Sequence, residues 1–186
     1  FNRDFKENIY LITYAVLSRE VNKDNIISDQ ILGRSYAGQK DFDKSMQAFE
    51  KAHANTPGGI NTLVALVRLN ISQGKIDEAK IMLEDIVKAA PDNYGARLLQ
   101  GQVLVLDGDE KGGIDVYEKV IADNPKAQSA YTVLYTHHMR KKDFDAAQSV
   151  LDRALKEMPD NDAMHMAQAA LYEGQENYEG AIKVYE

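Results

Sequence analysis

The side chains best suited to metal binding or acid–base chemistry are four histidines, His53, His137, His138 and His165. None of them stands in a metal-binding motif. The adjacent His137 and His138 would point about 100° apart on a helix, so both cannot ligate one ion without other residues. We therefore predict half-buried packing for His138, no metal site and no cofactor.

Glycine pairs and clustered carboxylates are two further patterns that could indicate chemistry. The glycine pairs at 58–59 and 112–113 lack a preceding strand and the Gly-Lys-Ser/Thr ending of a phosphate-binding loop. The acidic residues within 77–78 and 107–110 stand at predicted turns and helix starts, where negative charge favours the helix dipole. Because no nucleophile, base and oxyanion site come together, we predict a protein that is not an enzyme.

Composition and charge exclude several classes of partner. The 186 residues carry a formal net charge of -7, whereas binding to phosphate backbones depends on clustered Lys and Arg, so we predict no nucleic-acid binding. No stretch approaches the roughly 18 apolar residues of a membrane span, so we predict no direct membrane insertion. The chain has no cysteine, which is compatible with both cytoplasm and bacterial periplasm and leaves its localisation open.

The prolines divide the chain into units of one length. Each proline stands 34 residues after the one before it, and the four are Pro57, Pro91, Pro125 and Pro159. A period of 34 residues is typical of a helix-turn-helix solenoid, in which each unit buries its apolar face only by stacking on its neighbours.

Fixed distances before each proline define one helix face. Small residues stand twelve positions before it: Ser45, Ala79, Gly113 and Ala147, continued by Ala181. Large residues stand eight positions before it: Phe49, Leu83, Tyr117 and Leu151, continued by Tyr185. With a further apolar position five before the proline, these offsets give the i, i+4, i+7 face of a helix.

A second helix precedes this one in every unit. It carries a position that varies in size: Gly33, Val67, Gly101, Tyr135 and Ala169. A glycine inside a helix is unfavourable, so Gly33 and Gly101 predict close approach of the partner helix. We also predict turns at Gly38, Gly74, Gly108 and 141–143, and helix caps at 92–93 and 160–161.

These offsets predict about eleven helices in a single array, which we interpret as a segment of a longer protein. The first helix is the weakest, since Leu11 stands where a small residue is expected. The predicted boundaries are 1–23 for the second helix of a preceding repeat, 24–57, 58–91, 92–125 and 126–159 for full repeats, and 160–186 for a truncated repeat.

The chain resembles the tetratricopeptide repeat proteins over essentially its whole length. The resemblance rests on the 34-residue period together with the repeated small residue, large or aromatic residue and proline. The resemblance implies an all-α, right-handed superhelical solenoid of antiparallel helix pairs. It also implies that the first helices line a concave groove, which receives an extended peptide or a partner helix. Val67 and Tyr135 replace a small residue that the family favours, and Gln100 replaces an apolar one, so local helix spacing is in question there.

If the first helices face inward as in that family, the groove residues stand at constant offsets. Arg34 and Arg68 would hold carboxylates or backbone carbonyls, while Leu98 and Val105 would take an apolar side chain. The alternative is that these are ordinary solvent-facing residues. The Lys and Asn pattern with which chaperone-binding members grip a terminal carboxylate is absent. The predicted groove comprises Gln30, Arg34, Val64, Arg68, Ile71, Leu98, Gln102, Val105, Thr132 and Thr136.

The function that these observations favour is a non-enzymatic scaffold that binds a peptide or a partner protein in the groove. The alternative is a structural spacer or assembly segment of a long repeat protein, similar to those that accompany bacterial secretion or exopolysaccharide export. Uncapped ends would then favour self-association.

Overall fold

The computed structural model describes residues 12–18, 26–55 and 59–185, and within these ranges the regular structure is entirely helical. Residues 12–18 form α1. The other helices are α2 (Ile26–Gly38), α3 (Phe42–Asn55), α4 (Ile60–Ser72), α5 (Ile76–Ala89), α6 (Tyr94–Leu106), α7 (Glu110–Asp123), α8 (Gln128–Arg140), α9 (Phe144–Glu157), α10 (Asp162–Gly174) and α11 (Tyr178–Tyr185). The described part of the chain thus holds eleven helices, and the all-α prediction is confirmed. Leu11, Pro57 and Gly58 lie outside the described residues, and the repeat boundaries stay a prediction.

The tight turns between paired helices share one backbone feature. A residue seventeen positions before each proline, or the equivalent position in the last repeat, has positive φ: Lys40, Gly74, Gly108, Lys142 and Glu176. The turns predicted at Gly74, Gly108 and 141–143 are confirmed. Gly38 is the last residue of α2, and the left-handed residue of that turn is Lys40, with φ 61°.

Side-chain caps begin several helices as the sequence predicts. Asn93 Oδ1 accepts a hydrogen bond from the Ala96 amide at 3.0 Å, and Asn161 Oδ1 accepts one from the Met164 amide at 3.1 Å. Asp143 caps α9 in the same way through the Ala146 amide. Each cap satisfies an amide that has no partner inside its own helix.

Residue contacts divide the chain into two compact units, Phe1–Val103 and Leu104–Glu186, with the boundary inside α6. One core cluster of the first unit joins Val67 of α4, Leu83 of α5 and Leu99 of α6. Phe49 of α3 packs in a second cluster with Leu66 and Leu69 of α4. The large residue eight positions before the proline is therefore a core residue in both repeats. In each, the first helix of the following repeat packs against it: α4 against Phe49 and α6 against Leu83.

Gly33 allows α2 and α3 to approach closely. A Cβ at Gly33 would lie 2.7 Å from Cε1 and Cζ of Phe49, well inside van der Waals contact. Ser45 Oγ donates a hydrogen bond to the Gly33 carbonyl at 2.7 Å, a buried contact between the same two helices. The close approach that the helical glycine predicts is confirmed at this position.

The second unit fits a tyrosine where the first has Gly33. Tyr135 of α8 is buried, and its hydroxyl donates a hydrogen bond to the Ala167 carbonyl of α10 at 2.8 Å. Arg153 of α9 forms a bidentate pair with Glu118 of α7, at 2.8 and 2.6 Å. Tyr135, which replaces the small residue expected at this position, thus links α8 to α10 through its hydroxyl.

Burial of Tyr117 predicts a loss of stability in alkaline solution. Its side chain is 2% exposed, and desolvation raises the pKa of Tyr117 to about 12. The unfolded tyrosine has a pKa of about 10, so the stabilising effect of the neutral side chain is complete below pH 10. This stabilisation is lost as the pH rises from about 10 to about 12. The loss in the free energy of unfolding reaches about 1.4 kcal/mol at pH 11.

Between pH 8 and pH 11, the free energy of unfolding should fall by about 1.4 kcal/mol less in Tyr117→Phe than in the original chain. Urea unfolding at both pH values measures the difference. Burial also raises the pKa of Tyr131 and Tyr135, but both remain in the variant and cancel in the comparison. An equal loss in the two proteins would contradict the prediction.

Candidate peptide-binding groove

The first unit contains a cavity of about 570 Å³ between α2, α3 and α4. Its walls combine two arginines with an apolar interior. The lining residues are Arg34, Ala37, Phe42, Phe49, Asn61, Val64, Ala65, Arg68, Leu69 and Ser72. Three residues of the predicted groove, Arg34, Val64 and Arg68, therefore meet in one cavity.

The two arginines of the cavity are exposed. Within residues 12–18, 26–55 and 59–185, neither the Arg34 nor the Arg68 guanidinium forms an ion pair or a hydrogen bond. Arg153, by contrast, is paired with Glu118. Each of the two guanidiniums presents a planar fork of donors that matches a carboxylate.

Aromatic and aliphatic side chains form the interior of the cavity. Phe49 is 3% exposed and is held against Gly33, while Phe42 stands at the start of α3 and is half-buried. Val64, Ala65 and Leu69 line the α4 side. The cavity therefore offers an apolar surface directly beside two cations.

The remaining groove residues of the first unit are placed differently. Gln30 Nε2 donates a hydrogen bond to Thr62 Oγ1 at 2.8 Å, which ties α2 to α4. Ile71 is half-buried and packs against the core of α4, α5 and α6. Leu98 is half-buried and Gln102 is exposed on α6, and neither lines the cavity.

The second unit carries the other three residues of the predicted groove. Val105 and Thr136 are half-buried, and Thr132 is exposed. Thr132 Oγ1 donates a hydrogen bond to the Gln128 carbonyl at 3.0 Å, one turn earlier in α8. This part of the predicted groove carries no charge.

Sequence reasoning missed most of the cavity's apolar lining. The repeat pattern predicts Phe49 only as a large residue of the second helix, and it does not place Phe42 or Leu69 in the groove. A signal was present in the row three positions after Arg34, where Ala37 is followed in later repeats by Ile71, Val105 and Met139.

The histidines of the second unit make protein contacts. His137 Nε2 lies 3.2 Å from a Glu110 carboxylate oxygen, and Lys141 Nζ bonds to the same carboxylate. The Lys141 contact, with His137 assisting, holds the pKa of Glu110 below its usual value. Burial lowers the pKa of His138, and its Nδ1 lies 3.8 Å from Asp143. No group of three or more His, Cys, Asp or Glu side chains is arranged to hold a metal ion within the described ranges.

Comparison with known proteins identifies the family. A family model described as the tetratricopeptide repeat matches residues 36–102 and 104–171, well over half of the chain. The chain belongs to the tetratricopeptide repeat family. Tetratricopeptide repeat proteins are generally non-enzymatic scaffolds that bind proteins or peptides. The family inferred from the period and the repeated residues is confirmed.

Solved structures of other tetratricopeptide repeat proteins share the fold. PilW, a type IV pilus biogenesis factor, is 14% identical with a TM-score of 0.69, over 99% of this chain and 91% of that one. TTC0263 from Thermus thermophilus is 19% identical with a TM-score of 0.68, over 86% and 88% of the two chains. YrrB, described as having an unusual peptide-binding site, is 17% identical with a TM-score of 0.57, over 91% and 88%. No curated protein matches the chain in sequence.

None of the helices in the described ranges has both the length and the apolar character needed to cross a membrane.

Proposed function

We propose that this tetratricopeptide repeat chain is a non-enzymatic scaffold that binds a peptide or a segment of a partner protein along its first helices. The observation that carries the proposal is the cavity between α2, α3 and α4. There, two guanidiniums without a partner among the described residues border an apolar interior. In this proposal the cavity is the anchor of the site.

The chemistry of the cavity supports an extended peptide as the ligand. Arg34 and Arg68 stand at the same position of consecutive first helices, so they present two donors in succession along the groove. A peptide offers both carbonyl and carboxylate acceptors to such donors, and its side chains can enter apolar pockets. The peptide-binding site named for YrrB lends support through the shared fold.

The other predicted residues extend the proposed site. Leu98 and Gln102 continue the row of first-helix residues on α6. Val105, Thr132 and Thr136 supply its uncharged part in the second unit. These positions modulate affinity in the proposal, whereas the cavity supplies most of it.

Reversing the two cavity charges tests the proposal. We expect peptides selected on the purified chain from a random peptide-display library to bind the Arg34→Glu/Arg68→Glu variant at least about tenfold more weakly, a loss of about 1.4 kcal/mol. The reason is that each acceptor then faces a carboxylate in place of a guanidinium. Binding is measured by fluorescence polarisation, with folding checked by circular dichroism.

A matched control separates the cavity from general electrostatics. Lys119→Glu/Lys156→Glu makes the same change in net charge at two exposed positions of α7 and α9, neither of which lines the cavity. We expect this variant to bind the selected peptides as the original chain does. Equal weakening in both variants, or no selected peptide that depends on Arg34 and Arg68, would reject the proposal.

A spacer or assembly segment is the second candidate function, and the exposed face of α11 favours it. Tyr178, Ile182 and Tyr185 are all more than half exposed on this helix. Tyr185 is 62% exposed, whereas Leu151 at the same repeat position is 0% exposed. If the chain is only a spacer, the selection yields no peptide that depends on the cavity.

A further inference from the structure

The cavity lies where one repeat has a small residue and the next three repeats have larger apolar ones. Ala37 stands three positions after Arg34, and the same position holds Ile71, Val105 and Met139 in the next three repeats. Ile71 packs against the core formed by α4, α5 and α6. Ala37 therefore leaves unfilled the space that an apolar side chain takes one repeat later.

The walls around this space are suited to a large apolar side chain. Ala37, Phe42, Phe49 and Leu69 all line the cavity. Phe49 is fixed in place, because its ring lies against Gly33 and packs with Leu66 and Leu69. A preformed pocket with aromatic walls favours an aromatic or branched aliphatic side chain, since the lining side chains do not have to rearrange to receive it.

Charge sets the second requirement on the ligand. The chain carries a net charge of -7, yet Arg34 and Arg68 border the pocket without a partner in the part of the chain that the structure describes. First helices of neighbouring repeats pack about 8–10 Å apart, and an extended segment rises about 3.3 Å per residue. Carboxylates within two positions of the inserted side chain would thus reach one or both guanidiniums.

We propose that the cavity recognises an acidic residue within two positions of a large apolar residue, on an internal extended segment of a partner protein. The apolar side chain fills the space beside Ala37, and the carboxylate binds the Arg34 and Arg68 guanidiniums. This inference rests on the proposed peptide-binding function and adds to it the chemistry that selects the partner.

The repeat itself supplies the variant that tests the pocket. Ala37→Ile installs the residue that the next repeat holds at the same position, so it occupies the part of the cavity beside position 37 with a side chain that the fold already accommodates. Ala122→Ile is the matched control, because it makes the same substitution at an exposed position of α7 that does not line the cavity. Arg34→Gln/Arg68→Gln removes the two charges, with Lys119→Gln/Lys156→Gln as the control of equal charge change.

The probes are synthetic peptides from the display selection, with both termini blocked. We expect them to share an acidic residue within two positions of Phe, Tyr, Leu or Ile. Fluorescence polarisation should show at least tenfold weaker binding to Ala37→Ile and to Arg34→Gln/Arg68→Gln, and unchanged binding to the two controls. Replacing the acidic residue of the peptide by Gln, or its apolar residue by Ala, should weaken binding to a similar extent.

Several outcomes would overturn the inference. Peptides that depend on Arg34 and Arg68 but not on Ala37, or that lack the acidic and apolar pair, would leave the proposed function in place and reject this ligand chemistry. Selected peptides that bind only when resynthesised with a free terminal carboxylate would indicate a receptor for chain ends and reject recognition of an internal segment. Concentration-dependent self-association that Ala37→Ile abolishes, measured by sedimentation, would make a second copy the occupant. Absence of any peptide that depends on the cavity would reject the inference together with the proposed function.

Discussion

Leu151→Ala is expected to lower the free energy of unfolding by about 2–5 kcal/mol, measured by urea denaturation. Leu151 lies on α9, which packs against α8 and α10, and its side chain is 0% exposed. The truncation removes buried methyl groups and leaves a cavity that helices packed on both sides cannot close. Loss of helicity, followed by circular dichroism, should occur at a lower urea concentration.

Met166→Ala is the matched control for this truncation. Met166 lies on α10 in the same unit and is 65% exposed. Removing it should change the free energy of unfolding by no more than about 0.5 kcal/mol, since an exposed side chain leaves no cavity. Equal losses in the two variants would mean that the position eight residues before the proline is not the centre of packing.

The repeat pattern predicted this burial correctly where a following helix is present. Phe49, Leu83, Tyr117 and Leu151 are each between 0% and 3% exposed. Tyr185 shares their position but is exposed, because no helix in the described part of the chain covers that face of α11. Position within the repeat therefore predicts which side chain faces a neighbour, and the neighbour decides whether it is buried.

The anchor of the candidate site was predicted only in part. Arg34, Val64 and Arg68 follow from constant offsets, since side chains at one repeat position lie on one face of successive helices. Ala37 also lines the cavity, and its small size stands out only when residues at the same repeat position are compared by size. The hydrogen bond from Gln30 to Thr62 joins residues 32 positions apart and could not be read from either residue alone.

Turn geometry shows a second limit. The left-handed position is glycine in two turns, Gly74 and Gly108, and these were predicted. Lys40, Lys142 and Glu176 adopt the same conformation without the residue that favours it. Composition alone misplaced the first turn at Gly38, whereas the distance from the proline would have placed it at Lys40.

Two positions of the repeat vary together in size. Gly33 and Gly101 are each followed sixteen residues later by an aromatic residue, Phe49 or Tyr117. Val67 and Tyr135 are each followed at the same distance by leucine. The contact between Gly33 and the Phe49 ring gives the physical reason, because a larger residue in the first helix requires a smaller one in the second.

Gly33→Val should therefore destabilise the chain by about 1–3 kcal/mol, the usual cost of overpacking a core. The new Cβ would lie 2.7 Å from Cε1 and Cζ of Phe49, and Phe49 is 3% exposed, so its ring has little room to move. Valine forms helices more readily than glycine, and this difference offsets only about a few tenths of a kcal/mol of the loss. Urea unfolding at neutral pH measures the loss.

The double variant Gly33→Val/Phe49→Leu installs in the first repeat the pair that the second repeat holds as Val67 and Leu83. It should recover at least half of the loss, so that the two substitutions couple by about 0.5–3 kcal/mol in a double-mutant cycle. Gly95→Ala combined with Phe49→Leu is the control cycle, because a Cβ at Gly95 would approach only Asn93 within 4 Å. That cycle should be additive to within about 0.5 kcal/mol. If Gly33→Val and Phe49→Leu are equally additive, the size pairing along the repeats does not arise from this contact.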